Sequence, residues 1–198
     1  MIRYAFAGLF LVALAAIVYV LISASGGKTP ANPLMRYATG TLEKMDFSSA
    51  GQPAPGGTFN DAAGAEATLA SFQGKTILVN YWATWCAPCE REMPSLGALQ
   101  AARGGDAFEV VAISIDSDED VDYARRRIGE LGAANIPFRH APLDRGDIVY
   151  GANVQGFPTT ILYGPDGLEI ARMSGEADWS ALEAVQFVDA ALRQAGKR

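Results

Sequence analysis

The chain has 198 residues, of which 49% are hydrophobic and 19% charged, so it is long enough for one domain with a core and too apolar for intrinsic disorder. Its formal net charge of -6 argues against a nucleic-acid-binding protein, because a phosphate-binding surface needs clustered Lys and Arg. The densest basic cluster, at residues 125–127, follows an acidic run and is interpreted as a solvated helix face.

The first predicted element is a membrane span. Residues 4–27 carry no charge, and residues 5–22 are apolar apart from Tyr19. As a helix this apolar run would measure about 27 Å, enough to cross a bilayer. A signal peptide cleaved near residues 23–25 is the alternative, but the run is longer than the usual apolar core of such signals. We predict a membrane anchor over residues 1–27, a tether over residues 28–50 and one globular domain over residues 51–198.

The first half of the domain alternates between predicted strands and helices. Residues 58–69 form a loose hairpin in this prediction, and residues 76–82 form a nearly continuous apolar run, typical of a strand buried on both faces. A helix over residues 90–102, a second buried strand over 110–115 and a second helix over 120–131 follow.

The second half is predicted to complete an α/β fold. It contains a short edge strand at residues 136–140, a hairpin of strands at 159–163 and 168–173, and a last helix at 179–192. Together the elements form a mixed central sheet flanked by helices. The two cysteines then lie at the C-terminal end of a central strand, where active sites of open α/β sheets are found.

Cys86 and Cys89 are the only cysteines, which excludes the multi-disulfide framework of small secreted domains and leaves a redox pair or half a metal site. One helical turn apart, the two residues can reach disulfide distance. Cys86 lies at the predicted helix start, where free amides stabilise a thiolate, so it is the predicted nucleophile. Cys89 is the predicted buried resolving thiol, and Pro88 stiffens the first helical turn.

Two segments carry a resemblance to a known family. Residues 80–94, NYWATWCAPCEREMP, resemble the active-site signature of the TlpA/ResA-like, membrane-anchored branch of the thioredoxin superfamily. Residues 154–160, VQGFPTT, are similar to the superfamily loop that ends in a cis-proline beside the CxxC motif. The resemblance covers about residue 50 to the C-terminus. It implies a thioredoxin-like fold with an N-terminal hairpin and an α/β insertion, here within about residues 117–143.

The resemblance also implies roles for individual residues. Pro158 would be cis, and the backbone of Phe157 would pair with an extended substrate segment. Trp85, Ala87 and Pro88 would complete the substrate-docking surface, whereas Trp82 is predicted to lie in the core.

Asn80 stands where ordinary thioredoxins have a buried Asp that assists deprotonation of the second cysteine. The resemblance offers Glu92 instead, three residues after Cys89 on the same helix face, as the acidic residue that tunes the thiols. A solvated helix glutamate is the alternative for Glu92.

The family's function follows as an expectation. It is a thiol:disulfide oxidoreductase with no cofactor beyond the Cys86–Cys89 disulfide, held on the bacterial inner membrane with its domain in the periplasm. Ala87 and Pro88 between the cysteines resemble those of reducing relatives. A reductant of protein substrates with cysteine pairs, recharged by a membrane electron donor, is therefore favoured.

Reducing relatives of this kind serve cytochrome or copper-centre (cytochrome oxidase) maturation. Thr159 replaces an acidic residue usual in the cytochrome c branch, which leaves a copper-centre or a general role open.

Two other functions compete with this one. A peroxiredoxin-like peroxidase would have Thr three residues before its reactive cysteine, where this chain has Ala83. A copper-binding assembly factor would use Cys86, Cys89 and His140, but such proteins usually place three residues between their cysteines and this chain has two. His140 is interpreted as a hydrogen-bonded edge or core residue, and no metal site is predicted.

Overall fold

The computed structural model describes residues 32–196. The predicted membrane anchor and the start of the predicted tether lie outside the described residues. Among residues 32–196, no helix has the length and apolar character that a membrane span requires. A compact unit begins at Leu34.

One mixed sheet of seven strands runs through this unit. The strands in chain order are β1 (Thr58–Asn60), β2 (Glu66–Thr68), β3 (Thr76–Trp82), β4 (Phe108–Ser114), β5 (Arg139–His140), β6 (Thr159–Tyr163) and β7 (Glu169–Ser174). Their order across the sheet is β2-β1-β5-β4-β3-β6-β7. β3 pairs parallel with β4 and antiparallel with β6, and all seven of its residues are buried, as expected for a strand covered on both faces.

Within residues 32–196, four α-helices flank the sheet: α1 (Ala87–Arg103), α2 (Val121–Ile128), α3 (Asp147–Gly151) and α4 (Leu182–Ala195). α2 continues into a π-helical turn at Gly129–Ala133. The region predicted as an α/β insertion, residues 117–143, contains α2 and β5. The predicted N-terminal hairpin is present as the antiparallel pair of β1 and β2.

The predicted fold class is confirmed in its α/β part, with two local corrections. β5 is not an edge strand, because β1 pairs with it on one side and β4 on the other. The last helix begins at Leu182 and not at residue 179, and Leu182 itself is exposed. Trp179 lies in the preceding loop and is fully buried there.

Part of the segment predicted as a tether packs on the domain. Leu34 and Leu42 are fully buried members of the main hydrophobic core. Asp46 and Arg172 of β7 exchange two backbone hydrogen bonds, of 2.8 and 2.9 Å. The compact unit therefore includes residues 34–50, whose apolar residues are spaced too irregularly to predict that this segment packs on the domain.

Candidate active site

The cysteine pair lies at the N-terminus of α1. Cys86 is the N-cap residue, and its Sγ accepts a hydrogen bond from the Cys89 backbone N–H at 3.3 Å. The two residues form a disulfide with their Cα atoms 5.3 Å apart. Cys86 is 6% exposed and Cys89 is 0% exposed, so Cys86 is the cysteine that a partner protein can reach in this state. The roles of nucleophile for Cys86 and resolving thiol for Cys89 stay predictions.

The predicted docking residues surround the exposed side of the pair. Trp85 is largely exposed, and its ring meets that of Phe157 edge-on at a centroid distance of 6.0 Å. The Phe157–Pro158 peptide bond is cis, as the resemblance implies. Because Thr159 pairs with Tyr81, the register of β6 on β3 brings Pro158 to the end of β3 that leads into the CxxC motif. Ala87 is exposed and Pro88 is half-buried beside the cysteines.

Glu92 is buried. The alternative interpretation, a solvated helix glutamate, is therefore wrong. The residue is 3% exposed, and its carboxyl accepts three hydrogen bonds. Asn80 Nδ2 donates to Oε1 at 2.7 Å, while the Ala177 backbone N–H and Trp179 Nε1 donate to Oε2 at 3.2 and 3.3 Å. Burial raises the pKa of Glu92 to about 7, and the three hydrogen bonds only partly oppose this rise.

The loop between β7 and α4 encloses this carboxyl. Besides the two donors to Glu92, the Trp179 backbone N–H donates to Ser95 Oγ at 3.0 Å, and the Asp178 backbone N–H donates to Thr41 Oγ1 at 2.7 Å. The loop is therefore attached both to α1 and to the N-terminal segment. Sequence reasoning missed Ala177, Trp179 and Thr41, because these contacts join residues more than 80 positions apart.

An open cleft connects Glu92 with solvent. Its volume is about 630 Å³, and Glu92 is one of its lining residues. The other lining residues are polar or small: Thr41, Arg91, Pro94, Ser95, Glu176, Ala177, Asp178 and Ser180. A proton can therefore leave or reach the Glu92 carboxyl without crossing the disulfide.

The raised pKa of Glu92 predicts how stability depends on pH. Glu92 keeps its proton up to about pH 7 in the folded state but loses it near its ordinary value of 4.5 when unfolded, so stability falls as pH rises through this window. The shift corresponds to a loss of about 3 kcal/mol. Urea denaturation of the oxidised protein at both ends of the window measures it. The Glu92→Gln variant should lack this loss, whereas Glu176→Gln, an exposed control on the same cleft whose charge is the smallest cause of the raised pKa of Glu92, should keep most of it. If the free energy of unfolding of Glu92→Gln falls with rising pH as much as that of the wild type, the assignment is wrong.

Asp116 is a second buried carboxylate, and sequence reasoning missed it. It is 0% exposed and follows β4. The Thr84 N–H and hydroxyl donate to Asp116 Oδ1 at 3.1 and 2.7 Å, and the Ser114 hydroxyl donates to Oδ2 at 2.8 Å. Asp116 therefore fixes the turn that leads from β3 into the CxxC motif.

Replacing Asp116 with Ala is expected to destabilise the protein by about 1–3 kcal/mol, because Thr84 and Ser114 lose the acceptor of three hydrogen bonds. Asp118→Ala is the matched control. Asp118 lies two residues away but is 62% exposed, and its ion pair with Arg145 lies at the surface. Chemical denaturation of both variants measures the difference, and equal losses would show that Asp116 has no special anchoring role.

The other singled-out residues serve the core. His140 is 3% exposed, and its Nε2 hydrogen-bonds to the Asp116 backbone carbonyl at 2.8 Å. It is therefore a hydrogen-bonded core residue, as interpreted, though not at a sheet edge. In the described part of the chain, no group of three or more His, Cys, Asp or Glu side chains is placed to hold a metal ion. Trp82 is fully buried, as predicted.

Comparison with known proteins identifies the family. A family model described as Redoxin matches residues 49–167, which is more than half of the chain. The chain belongs to the Redoxin family. Within this family it is 32% identical over 142 residues to the thiol-disulfide oxidoreductase ResA of Bacillus thuringiensis subsp. konkukian, a match that covers 71% of this chain and 77% of ResA. It is also 32% identical over 118 residues to the thioredoxin-like protein YneN of Bacillus subtilis, covering 60% of this chain and 67% of YneN.

Solved structures agree with this assignment. A thiol:disulfide interchange protein from a Bacteroides species is 26% identical and superposes with a TM-score of 0.62, covering 73% of this chain and 90% of that protein. A thioredoxin family protein from Chlorobium tepidum is 24% identical and superposes with a TM-score of 0.57. The match covers 72% of this chain and 97% of that protein, and it supports the fold. The predicted enzyme class, a thiol-disulfide oxidoreductase with a CxxC pair, is confirmed.

Proposed function

We propose that this Redoxin-family enzyme is a membrane-anchored reductant of disulfides in exported proteins. One observation carries the proposal: a disulfide at the start of α1, with one sulfur accessible, lies one helical turn before a buried carboxyl that can exchange a proton near neutral pH. The exchange needs no group on the chain other than these three side chains.

The first step forms a mixed disulfide. The Cys86 thiolate attacks one sulfur of the substrate disulfide, the substrate S–S bond breaks, and the other substrate cysteine leaves as a thiolate. The positive end of α1 favours the thiolate at Cys86, its N-cap residue. Trp85 and Phe157 support the substrate segment on the exposed side.

The second step releases the substrate. The Cys89 thiol passes its proton to the Glu92 carboxylate, and the resulting thiolate attacks Cys86 Sγ. The mixed disulfide breaks, the second substrate cysteine leaves as a thiolate, and the Cys86–Cys89 disulfide forms. Two electrons have then passed to the substrate. The proton leaves Glu92 through the 630 Å³ cleft. A membrane electron donor must reduce the enzyme again.

The apolar run at residues 5–22 supports attachment to the bacterial inner membrane, with the domain in the periplasm. Ala87 and Pro88 between the cysteines favour the reducing direction. The proposed substrates are cysteine pairs of proteins in cytochrome or copper-centre (cytochrome oxidase) maturation. Thr159 after the cis-proline, where the cytochrome c branch usually has an acidic residue, leaves copper-centre maturation or a general role open.

The direction of transfer is tested in cells. Acid quenching followed by thiol alkylation separates the dithiol and disulfide forms of the full-length protein. A reductant is expected to be mainly in the dithiol form at steady state, and a predominantly oxidised protein would contradict the proposal.

Capture of partners with the Cys89→Ser variant then identifies the substrate class, with the Cys86→Ser, Cys89→Ser double variant as the control. Recovery of only oxidase-assembly proteins or only apocytochromes would decide between the two maturation routes.

A further inference from the structure

The Asn80 side-chain amide is hydrogen-bonded on one side only. Asn80 Nδ2 lies 2.7 Å from Glu92 Oε1 and 2.9 Å from Thr160 Oγ1. On the other side, Oδ1 has no hydrogen-bond partner, although the residue is fully buried. A buried acceptor without a partner is unfavourable, and such atoms are uncommon in folded proteins. The Nδ2 contact with Glu92 Oε1 suits the ionised carboxylate, which accepts hydrogen bonds only.

The surroundings of Glu92 determine which oxygen can carry a proton. Oε2 receives N–H bonds from the Ala177 backbone and the Trp179 indole, and neither group can accept a hydrogen bond there. A proton on Oε2 would find no acceptor among these two donors and would compete with them for the same oxygen. A proton on Oε1 would point at Asn80, where it meets the Nδ2 donor unless the amide turns round.

A half-turn of the amide resolves this conflict. It exchanges the positions of Nδ2 and Oδ1, so that Oδ1 lies within hydrogen-bond distance of both Glu92 Oε1 and Thr160 Oγ1. A protonated Glu92 and the Thr160 hydroxyl can each donate to that oxygen. Asparagine can thus face both states of Glu92, since it offers a shared donor in one orientation and a shared acceptor in the other. The opposite end of the amide lies without a partner in either orientation, so that end does not decide between them.

We propose that Asn80 is a positioning residue whose side-chain amide reverses each time Glu92 gains or loses its proton. When Glu92 is ionised, Nδ2 donates to Glu92 and Thr160. When Glu92 is neutral, the proton sits on Oε1 and Oδ1 accepts from both. In turnover the proton moves from Cys89 Sγ to Glu92 Oε1, and Asn80 changes only by rotation about its Cβ–Cγ bond. The inference rests on the proposed proton transfer to Glu92.

Asn80 and Thr160 are held in place by the sheet, because the register of β3 and β6 makes them direct partners. They contribute no charge to the site. The charged groups that line the same cleft as Glu92 are Arg91 of α1 and Glu176 and Asp178 of the loop after β7. Arg91 and Glu176 pair with each other at 2.8 Å. The hydrogen-bond partner of Glu92 Oε1 is therefore the uncharged side chain of Asn80.

The reversal can be observed by NMR. The full-length oxidised protein, labelled with ¹⁵N-Asn and ¹³C-Glu, is titrated from about pH 5 to about pH 9, a range centred on the raised pKa of Glu92. The Asn80 amide signal, assigned from its absence in Asn80→Ser, should shift with the same midpoint as the Glu92 carboxyl carbon. In Glu92→Gln the Asn80 signal should no longer respond to pH.

The outcomes separate this inference from the proposed function. An Asn80 signal that stays constant while Glu92 titrates overturns the reversal but leaves Glu92 as a proton acceptor. A Glu92 carboxyl that does not titrate in this range overturns both.

A second measurement uses turnover and does not depend on NMR. Asn80→Asp places another carboxyl 2.7 Å from Glu92, so the pair should hold a proton to higher pH. The pH midpoint of turnover should rise by about one unit or more. Asn80→Ser, whose hydroxyl can both donate and accept, should stay closer to the wild type. Equal pH profiles for wild type and both variants would overturn the inference.

Discussion

Replacing Cys86 with serine is expected to abolish the reduction of insulin disulfides. Cys86 is the N-cap of α1 and the more exposed sulfur of the pair, whereas Cys89 is fully buried and cannot reach a substrate disulfide first. A serine hydroxyl is not ionised at neutral pH and cannot form the mixed disulfide. The loss of activity should therefore be complete within the sensitivity of the turbidity assay.

The matched variant, Cys89→Ser, is expected to behave differently. It keeps the nucleophile but lacks the thiol that resolves the mixed disulfide, so covalent enzyme–substrate adducts should accumulate and be visible on non-reducing gels. Alkylation of the reduced wild-type protein near pH 7 provides an independent check. If Cys89 is labelled faster than Cys86, the assignment of the two roles is wrong.

The elements around the cysteine pair could be predicted because their signals are local. The apolar run of β3 and the hairpin of β6 and β7 are patterns that a short window of sequence contains. The placement of the CxxC motif at the start of α1 follows from those neighbours. The disulfide depends on this contiguous stretch, and so does the first of the two segments that carry the family resemblance.

The pocket around Glu92 could not be predicted in the same way. Spacing alone places Glu92 one turn after Cys89 but does not tell whether that helix face is solvated. Its burial results from the loop after β7 and from the segment near Thr41, which pack together across more than 130 positions of sequence. The anchoring of Thr84 by Asp116 likewise joins residues 32 positions apart. Such contacts leave no periodic signal in a single sequence.

Replacing Glu92 with glutamine is expected to slow turnover about tenfold near neutral pH, because the amide cannot take the proton of Cys89. In the wild type the carboxylate is the active form, so turnover should rise as pH increases through about 7, the raised pKa of Glu92. The variant should lack this rise. Steady-state insulin reduction across this pH range measures both effects.

Removing the Glu92 charge should also change the pH at which the cysteine thiolate forms. This second effect distinguishes the loss of the charge from a general loss of packing. The carboxylate disfavours another negative charge on the cysteine pair, so thiolate absorbance in Glu92→Gln should appear at lower pH even though turnover is slower. A damaged fold would not combine earlier thiolate formation with slower resolution. Glu90→Gln is the control, because Glu90 is on the same helix but pairs with Arg127 at 2.7 Å, away from the pocket. If Glu92→Gln titrates and turns over like this control, the buried carboxyl has no part in the exchange, and Cys89 must lose its proton to another acceptor.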